Sequence, residues 1–164
     1  MLTDAIRCAV AAHEGQKRKG SGLPYVVHPL EVMQILLRHG VEDEETLVAA
    51  VLHDAVEDTE VTIEQVREQF GERVAAIVAA VTKPEEGSKA ERKRIAGELL
   101  RAGPPAARIV KMADRLSNLH DLDRLPWTEE RKAEYRREAL EFARVGEAAH
   151  AGLAAALRAE AGAP

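Results

Sequence analysis

The chain has 164 residues, of which 46% are hydrophobic and 31% are charged, and its formal net charge is -5. This balance is typical of one soluble globular domain with a sizeable core. The acidic net charge argues against general nucleic-acid binding, which needs a basic surface. No segment has the ~20 consecutive apolar residues of a membrane span. Cys8 is the only cysteine, which excludes an internal disulfide and a thiolate zinc site.

The first predicted element is an amphipathic helix over Leu2–His13, which ends before Gly15. Asp4 and Arg7 stand within its apolar pattern, so this segment does not have the uncharged core of a signal peptide. Together with the single cysteine, this predicts a protein of the reducing cytoplasm.

Apolar residues at helical spacing continue through the first half of the chain, and the alternating β-branched runs of strands are absent. A second helix is predicted from about Pro29 to Arg38, because proline suits a first turn and Gly40 suits a C-terminal stop. Asp43 is a suitable N-cap for a third helix, which carries the apolar run Leu47–Leu52.

Capping residues mark the helices of the second half. The T-x-x-Q pattern at Thr62 and the S-x-x-E pattern at Ser88 are capping boxes, and Thr128 caps a long last helix with a break near Gly146. The other helices predicted there cover Val74–Thr82 and about Ala106–Asp121. The fold class is therefore all-α, a helical bundle of about seven to nine helices in one domain. This domain is predicted to cover residues 1–158, and residues 159–164 are predicted to be a frayed tail.

The third helix contains a charged cluster where its apolar run should continue. His53 and Glu57 are four residues apart, as are Asp54 and Asp58, so the two pairs share a narrow arc of one helix face. Buried acids and imidazoles cost several kcal/mol each unless they are paired or bound to a metal. The alternative is a solvated acidic helix end, but acids there oppose the helix dipole.

Two more polar residues stand among apolar neighbours. His28 lies within Tyr25–Leu30 and Asp114 within Ile109–Leu116. Each of them alone is more often a structural group than a ligand. With His53 and Asp54 they make a set of imidazoles and carboxylates that suits manganese, iron or zinc and leaves positions open for water or phosphate.

Five segments of the chain resemble the HD superfamily of metal-dependent phosphohydrolases, and most closely its RelA/SpoT-type alarmone hydrolases. The combined patterns HP-L, HD-x-x-EDT and K-x-ADRL-x-N carry the resemblance. The chain is too short for the synthetase and regulatory domains of the long family members, so the resemblance implies a small, hydrolase-only member. The five segments are His13–Lys19, Pro24–Leu30, Leu52–Thr59, Phe70–Gly71 with Val81–Lys83, and Lys111–Asn118.

The resemblance implies an HD-domain bundle of packed helices with one divalent ion, most often Mn²⁺. The implied reaction hydrolyses the 3′-diphosphate of guanosine 3′,5′-bis(diphosphate) or its pentaphosphate, giving GDP or GTP and pyrophosphate. The ion lowers the pKa of a bound water, and Glu57 and Asp58 would hold that water and take its proton. The implied metal ligands are His28, His53, Asp54 and Asp114.

A polyphosphate substrate also needs cations. Arg18 and Lys19 lie in the loop that leads to His28, although a solvated loop is the alternative for them. Arg115 has a structural ion pair as its alternative role. The predicted substrate-binding residues are Arg18, Lys19, Ser21, Tyr25, Lys111, Arg115 and Asn118.

Some positions depart from the family pattern and bear on the substrate. Ser117 stands where histidine is common, and Asp121 stands where threonine is common and adds negative charge near the expected phosphates. The tyrosine that often assists the nucleotide site has no clear counterpart, and Phe142 is the candidate for its place. Two other functions stay open: an HD phosphohydrolase of another nucleotide, such as a deoxynucleoside monophosphate, and a catalytically silent nucleotide-binding module. The expected partner is a nucleotide, with no nucleic acid and no membrane, and a homo-oligomer is left open.

Overall fold

The computed structural model describes residues 1–162, in which ten α-helical segments and one 3-10 turn follow one another. The only β-type pairing in this range is an isolated bridge between Lys17 and Pro24. The predicted all-α class is confirmed. The helices are α1 (Leu2–Ala12), α2 (Val27–Arg38), α3 (Glu44–Leu52), α4 (Ala55–Asp58), α5 (Ile63–Phe70), α6 (Glu72–Val81), α7 (Lys89–Ala102), α8 (Pro105–His120), α9 (Glu129–Gly146) and α10 (Ala151–Gly162), with the 3-10 turn at Leu122–Arg124.

Four helices, α3, α5, α7 and α9, start at the capping residues that the sequence predicts. Thr62 accepts from the Gln65 amide and donates its own amide to the Gln65 side chain, so this capping box is complete. Asp43 and Thr128 each accept from an amide in the first turn of α3 and α9. Among these starts, Ser88 forms only the hydroxyl half of its predicted box. The third predicted helix is divided into α3 and the single turn α4, at His53 and Asp54.

Helices α3 and α8 lie at the centre of the bundle. Helix α3 is buried from Thr46 to Leu52 and packs against α1, α2, α6 and α8. Helix α8 is buried along most of its length and contacts α2, α6, α9 and α10. A helix that is apolar on nearly all sides, as α3 is, must be enclosed by others. The polar residues that interrupt these two helices are therefore held on rigid, buried elements.

The break between α9 and α10 falls where the sequence predicts it. Helix α9 ends at Gly146, and the chain turns before α10 begins at Ala151. Helix α10 continues to Gly162 and buries Ala161, so residues 159–162 of the predicted tail are helical, while residues 163–164 lie outside the described range. No helix described here combines the length and the apolar character needed to cross a membrane.

Gly146 lies directly against the core of α8. A Cβ at this position would lie within 2.6 Å of Met112 Cε, and Met112 has no exposed surface. Removing glycine from a helix stabilises it by up to about 1 kcal/mol, whereas overpacking a core costs about 1–3 kcal/mol. We therefore expect Gly146→Ala to lower the free energy of unfolding by about 1 kcal/mol, measured by urea denaturation. Gly152→Ala in α10, where the added Cβ meets its nearest neighbour at 3.5 Å, is the matched control and should not lower stability.

Candidate active site

Four predicted ligands come together between α2, α3 and α8. His28 Nε2 lies 3.4 Å from Asp54 Oδ2 and 3.3 Å from Asp114 Oδ1. His53 Nε2 lies 3.1 Å and 3.8 Å from the same two oxygens. Ligand atoms of His28, His53 and Asp114 all lie within 4.8 Å of one another. Atoms that each lie about 2.1 Å from a common ion are separated by about 3–3.5 Å, so this spacing suits a shared metal.

The orientation of His53 leaves a nitrogen lone pair facing the carboxylates. His53 follows the last residue of α3, where the carbonyls of the final turn lack helical partners. Its Nδ1 lies 2.8 Å from the Ala50 carbonyl, which can only accept, so Nδ1 carries the proton. Nε2 is buried and has no hydrogen-bond partner within residues 1–162. An imidazole nitrogen without a hydrogen-bond partner, beside carboxylate oxygens, provides ligand atoms that suit a divalent cation.

The charges around this centre also favour a cation. Burial opposes the ionised form of Asp114, but Lys111, whose Nζ lies 2.8 Å from Oδ2, lowers its pKa well below the usual range. Burial also lowers the pKa of His53, yet the negative field of Asp54 and Asp114 raises that pKa to about 10, so a proton and a divalent cation compete for Nε2. The carboxylates therefore stay charged and attract positive charge into the site.

The acids of α4 differ in their contacts. The Tyr25 hydroxyl donates to Asp54 Oδ2 at 2.7 Å and lies 3.2 Å from Asp58 Oδ2. Burial raises the pKa of Asp58, and the charges of Asp54 and Glu57 raise it further. Glu57 instead forms an ion pair with Lys83 at 2.6 Å and accepts from the Lys83 amide. Asp58 therefore binds a proton more readily than an ordinary aspartate does.

Two cavities adjoin this centre. The larger, of about 880 Å³, is lined by His28, Asp54, Asp114 and both acids of α4. Among the predicted substrate-binding residues, it is also lined by Tyr25, Lys111, Arg115 and Asn118. The second cavity, of about 510 Å³, is lined by Arg18 and Lys19. Tyr25, Asp58, Asn118 and Tyr135 border both cavities. Ser21 borders neither, and its Oγ accepts from the Leu23 amide in its own loop.

Asp121 is neutralised by arginines and does not add a free negative charge to the site. Its Oδ2 lies 2.6 Å from Arg18 Nε and its Oδ1 lies 2.9 Å from Arg124 Nη1. Burial opposes the charged form, but Arg18 and Arg124 hold the pKa of Asp121 below its usual range. Arg18 is itself buried and donates to Asn118 Oδ1. The expected repulsion between Asp121 and phosphates is therefore cancelled within the protein.

The sequence did not identify Tyr135, which lines both cavities. The guanidinium of Arg115 lies 4.4 Å from the Tyr135 ring centroid and 4.8 Å from that of Phe142. The two aromatic residues are seven positions apart and so share one face of α9, which is the only signal that could have found Tyr135. Five unpredicted cations of α7 also line the larger cavity. They are Lys89, Arg92, Lys93, Arg94 and Arg101.

Comparisons with known proteins agree with this geometry. The family model of the HD domain matches residues 5–145. Guanosine-3′,5′-bis(diphosphate) 3′-pyrophosphohydrolase MESH1 of Homo sapiens is 42% identical over 139 residues, which cover 82% of this chain and 78% of that protein. The protein named guanosine-3′,5′-bis(diphosphate) 3′-pyrophosphohydrolase in Aquifex aeolicus is 40% identical over 146 residues, covering 84% of this chain and 20% of its own length.

A solved structure is also similar over nearly the whole fold. It is described as a metazoan ortholog of SpoT that hydrolyzes ppGpp, and it has 34% sequence identity. It superposes with a TM-score of 0.88 and covers 97% of this chain and 92% of its own. At this identity and coverage, the similarity extends to the arrangement of the helices that carry the site.

Proposed function

The chain belongs to the HD domain family, and from this premise we propose that it hydrolyses the 3′-diphosphate of guanosine 3′,5′-bis(diphosphate) and of its pentaphosphate. The products are GDP or GTP and pyrophosphate. The observation that carries the proposal is the convergence of two imidazole nitrogens and two carboxylates at the wall of a cavity lined with cations. The relatives named as 3′-pyrophosphohydrolases of the same compound support it.

We propose that His28, His53, Asp54 and Asp114 hold one divalent ion, and that this ion is Mn²⁺. The mixture of nitrogen and oxygen ligands and the unpartnered Nε2 of His53 support this assignment. When bound, such an ion supplies a water of lowered pKa and offsets phosphate charge. The Tyr25 hydroxyl donates a hydrogen bond to Asp54 and so holds this carboxylate in place.

Asp58 is the residue that we assign to accept the proton of the attacking water. A general base is most effective when its pKa lies close to the working pH, and the environment of Asp58 shifts its pKa in that direction. Glu57 is assigned to orient the water, because Lys83 fixes its carboxylate on the same wall of the cavity. Their positions on the single turn α4 keep both acids beside Asp54.

The substrate is held from several sides in this proposal. Arg115 lies against two aromatic rings, its Nε has no hydrogen-bond partner among the residues that the structure describes, and Glu138 lies 3.8 Å from its Nη2. It can therefore bind a phosphate without breaking a short ion pair. Lys111 lines the same cavity, and Arg18 and Lys19 line the neighbouring one, which we assign to the nucleoside. Asn118 borders both cavities and donates to Asp114, so it connects the nucleoside and metal sides.

The test of the proposed function is to incubate the purified protein with Mn²⁺ and a panel of nucleotides that includes both alarmones, and to resolve the products. Pyrophosphate release from the alarmones is the expected result. Orthophosphate release from deoxynucleoside monophosphates would instead indicate an HD phosphohydrolase of another nucleotide. Binding of alarmone without turnover would indicate the catalytically silent module. The proposal includes a cytoplasmic location and a nucleotide, without nucleic acid, as the substrate partner.

Removal of the metal is expected to lower the thermal stability of the protein. A ligand that binds only the native state at 100 times its Kd stabilises that state by about 2.7 kcal/mol, which corresponds to roughly 5–11 °C in Tm for a chain of this size. Differential scanning calorimetry with Mn²⁺ and after chelation measures the difference. In Asp54→Ala the same comparison should give a much smaller difference in Tm. An equal difference in Tm would show that the ion binds elsewhere.

Asp121→Asn is expected to raise KM for the alarmone by about 5- to 10-fold with little change in kcat. The carboxylate fixes Arg18 through a charge-assisted hydrogen bond, and such bonds contribute about 1.5–3 kcal/mol, part of which Arg18 recovers from its other acceptors. Steady-state kinetics at saturating Mn²⁺ measures the effect. Asp123→Asn, which changes an exposed ion pair with Arg136, is the control, and an equal rise in KM there would refute a specific role for Asp121.

A further inference from the structure

On the side of His28 that faces away from the site, a series of hydrogen bonds connects α2 and α8. His28 Nδ1 lies 2.9 Å from Ser117 Oγ, and Ser117 Oγ lies 2.8 Å from Glu31 Oε2. His28 is 1% exposed and Ser117 has no exposed surface. The other oxygen of Glu31, Oε1, lies 2.8 Å from His120 Nδ1, which helps to fix the carboxylate.

Which group donates in each of these hydrogen bonds follows from the chemistry of the side chains. An ionised carboxylate only accepts, and a serine hydroxyl has one proton to donate. Ser117 therefore donates to Glu31, and its oxygen can accept from His28. For that bond to form, Nδ1 of His28 must carry the ring proton. Nε2 then has a free lone pair on the side that faces Asp54 and Asp114.

Without Glu31 the opposite tautomer of His28 becomes favourable. Oxygens of Asp54 and Asp114 lie 3.4 Å and 3.3 Å from Nε2 and attract a proton to that nitrogen. A serine hydroxyl free to rotate could donate to Nδ1 and accommodate this change. The tautomer of His53 is fixed in another way, because its Nδ1 faces the Ala50 carbonyl, which can only accept a hydrogen bond. Ser117 by itself does not fix the tautomer of His28, because its hydroxyl can either donate or accept.

We propose that Glu31, acting through Ser117, is a positioning residue that holds His28 as the Nδ1–H tautomer and thereby keeps Nε2 available as a metal ligand. Partners of the non-ligating nitrogen of a metal-binding histidine contribute about 10–100-fold to metal affinity or activity. The inference rests on the proposed metal centre and does not depend on which nucleotide is the substrate. Glu31 follows His28 by three positions, so one turn of α2 presents both side chains to α8.

The test uses metal-free and Mn²⁺-titrated protein with four single substitutions. Glu31→Met removes the acceptor and keeps the side-chain length, and Ser117→Ala removes the hydroxyl. Glu31→Gln keeps an amide oxygen that can accept from Ser117, so it is the conservative variant. Glu147→Gln, which changes an exposed ion pair with Arg158, is the matched control. Circular dichroism shows that each variant is folded, ¹H–¹⁵N correlation spectra of ¹⁵N-histidine-labelled protein report the His28 tautomer, and calorimetry measures Mn²⁺ affinity.

We expect Glu31→Met and Ser117→Ala to lose the single Nδ1–H tautomer of His28 and to bind Mn²⁺ about 10–100-fold more weakly. Glu31→Gln should recover most of that affinity, and Glu147→Gln should match the wild type. Because the two residues act in series, the double variant should bind no more weakly than either single one. A wild-type tautomer in Glu31→Met, or fully additive losses in the double variant, would overturn the proposal.

These readouts separate the inference from the proposed function. If the wild-type protein hydrolyses no alarmone but binds Mn²⁺, the tautomer and affinity measurements decide the role of Glu31 alone. If the wild type binds no Mn²⁺, the proposed metal centre fails, and with it this inference, because Nε2 then has no ion to serve.

Discussion

Replacing Asp54 by alanine is expected to abolish metal-dependent turnover, with kcat/KM at limiting Mn²⁺ reduced by at least about 10³-fold. A metal ion contributes several kcal/mol of charge stabilisation in such a reaction, and each 1.36 kcal/mol corresponds to a factor of ten. Asp54 lies between both imidazoles and the Tyr25 hydroxyl, so its loss removes a ligand oxygen and releases that tyrosine. Product formation at several Mn²⁺ concentrations measures the effect.

One control variant and one change of metal concentration make this experiment specific for the metal. Asp4→Ala removes an exposed carboxylate of α1 and should leave turnover unchanged. Partial recovery of Asp54→Ala at high Mn²⁺ concentration would agree with a weakened site, because occupancy then rises by mass action. Full activity of Asp54→Ala at limiting Mn²⁺ would contradict the assignment of Asp54 as a ligand.

Asp58→Asn is expected to retain Mn²⁺ binding and to slow hydrolysis by about 10²–10⁴-fold, the usual contribution of a general base. Its carboxylate must be ionised to accept a proton, and the pKa of Asp58 is raised by burial and by the neighbouring acids. The rate should therefore fall on the acid side at a higher pH than an ordinary aspartate would set. In Asp58→Asn this acid limb should flatten, which a pH profile of kcat/KM at saturating metal detects.

Glu57→Gln tests the second acid in the same assay. We expect severely slowed hydrolysis with Mn²⁺ affinity retained, because the variant loses the ion pair with Lys83 that fixes the side chain. Its acid limb should persist, since Asp58 remains, and this separates the orienting role from the basic one. Unchanged turnover in Glu57→Gln would show that Glu57 has no part in the mechanism. Loss of the acid limb in this variant would indicate that Glu57 is the general base and that Asp58 orients the water.

Three residues of the proposed metal centre could be predicted from the sequence because each one is polar where its neighbours are apolar. His53 and Asp54 interrupt an apolar helix, and Asp114 interrupts the buried face of another. Burial of such groups is unfavourable without a partner, so the sequence itself pointed to a ligand. The helix starts at Asp43 and Thr62 were equally visible, since a cap depends only on residues within one turn.

The remaining parts of the site depend on contacts between residues that are far apart in the chain. Glu31 and Ser117 are separated by 86 positions, and Arg18 and Asp121 by 103. Neither pair has a local pattern, because a hydrogen bond across helices requires only that two faces meet. Tyr135 lacked a motif for the same reason, and packing of α9 on α8 alone brings it beside Arg115.

The sequence by itself thus determined the all-α fold and the caps, which follow from periodicity and from hydrogen bonds within one turn. It also indicated the proposed metal ligands, through polar residues among apolar neighbours and through the family resemblance. Only the tertiary structure decided that Asp121 is neutralised, that Glu57 and Asp58 have different partners, and that His28 is oriented by Ser117. The physical reason is that a residue type fixes what a side chain can donate or accept. Which group it meets is fixed by how the helices pack.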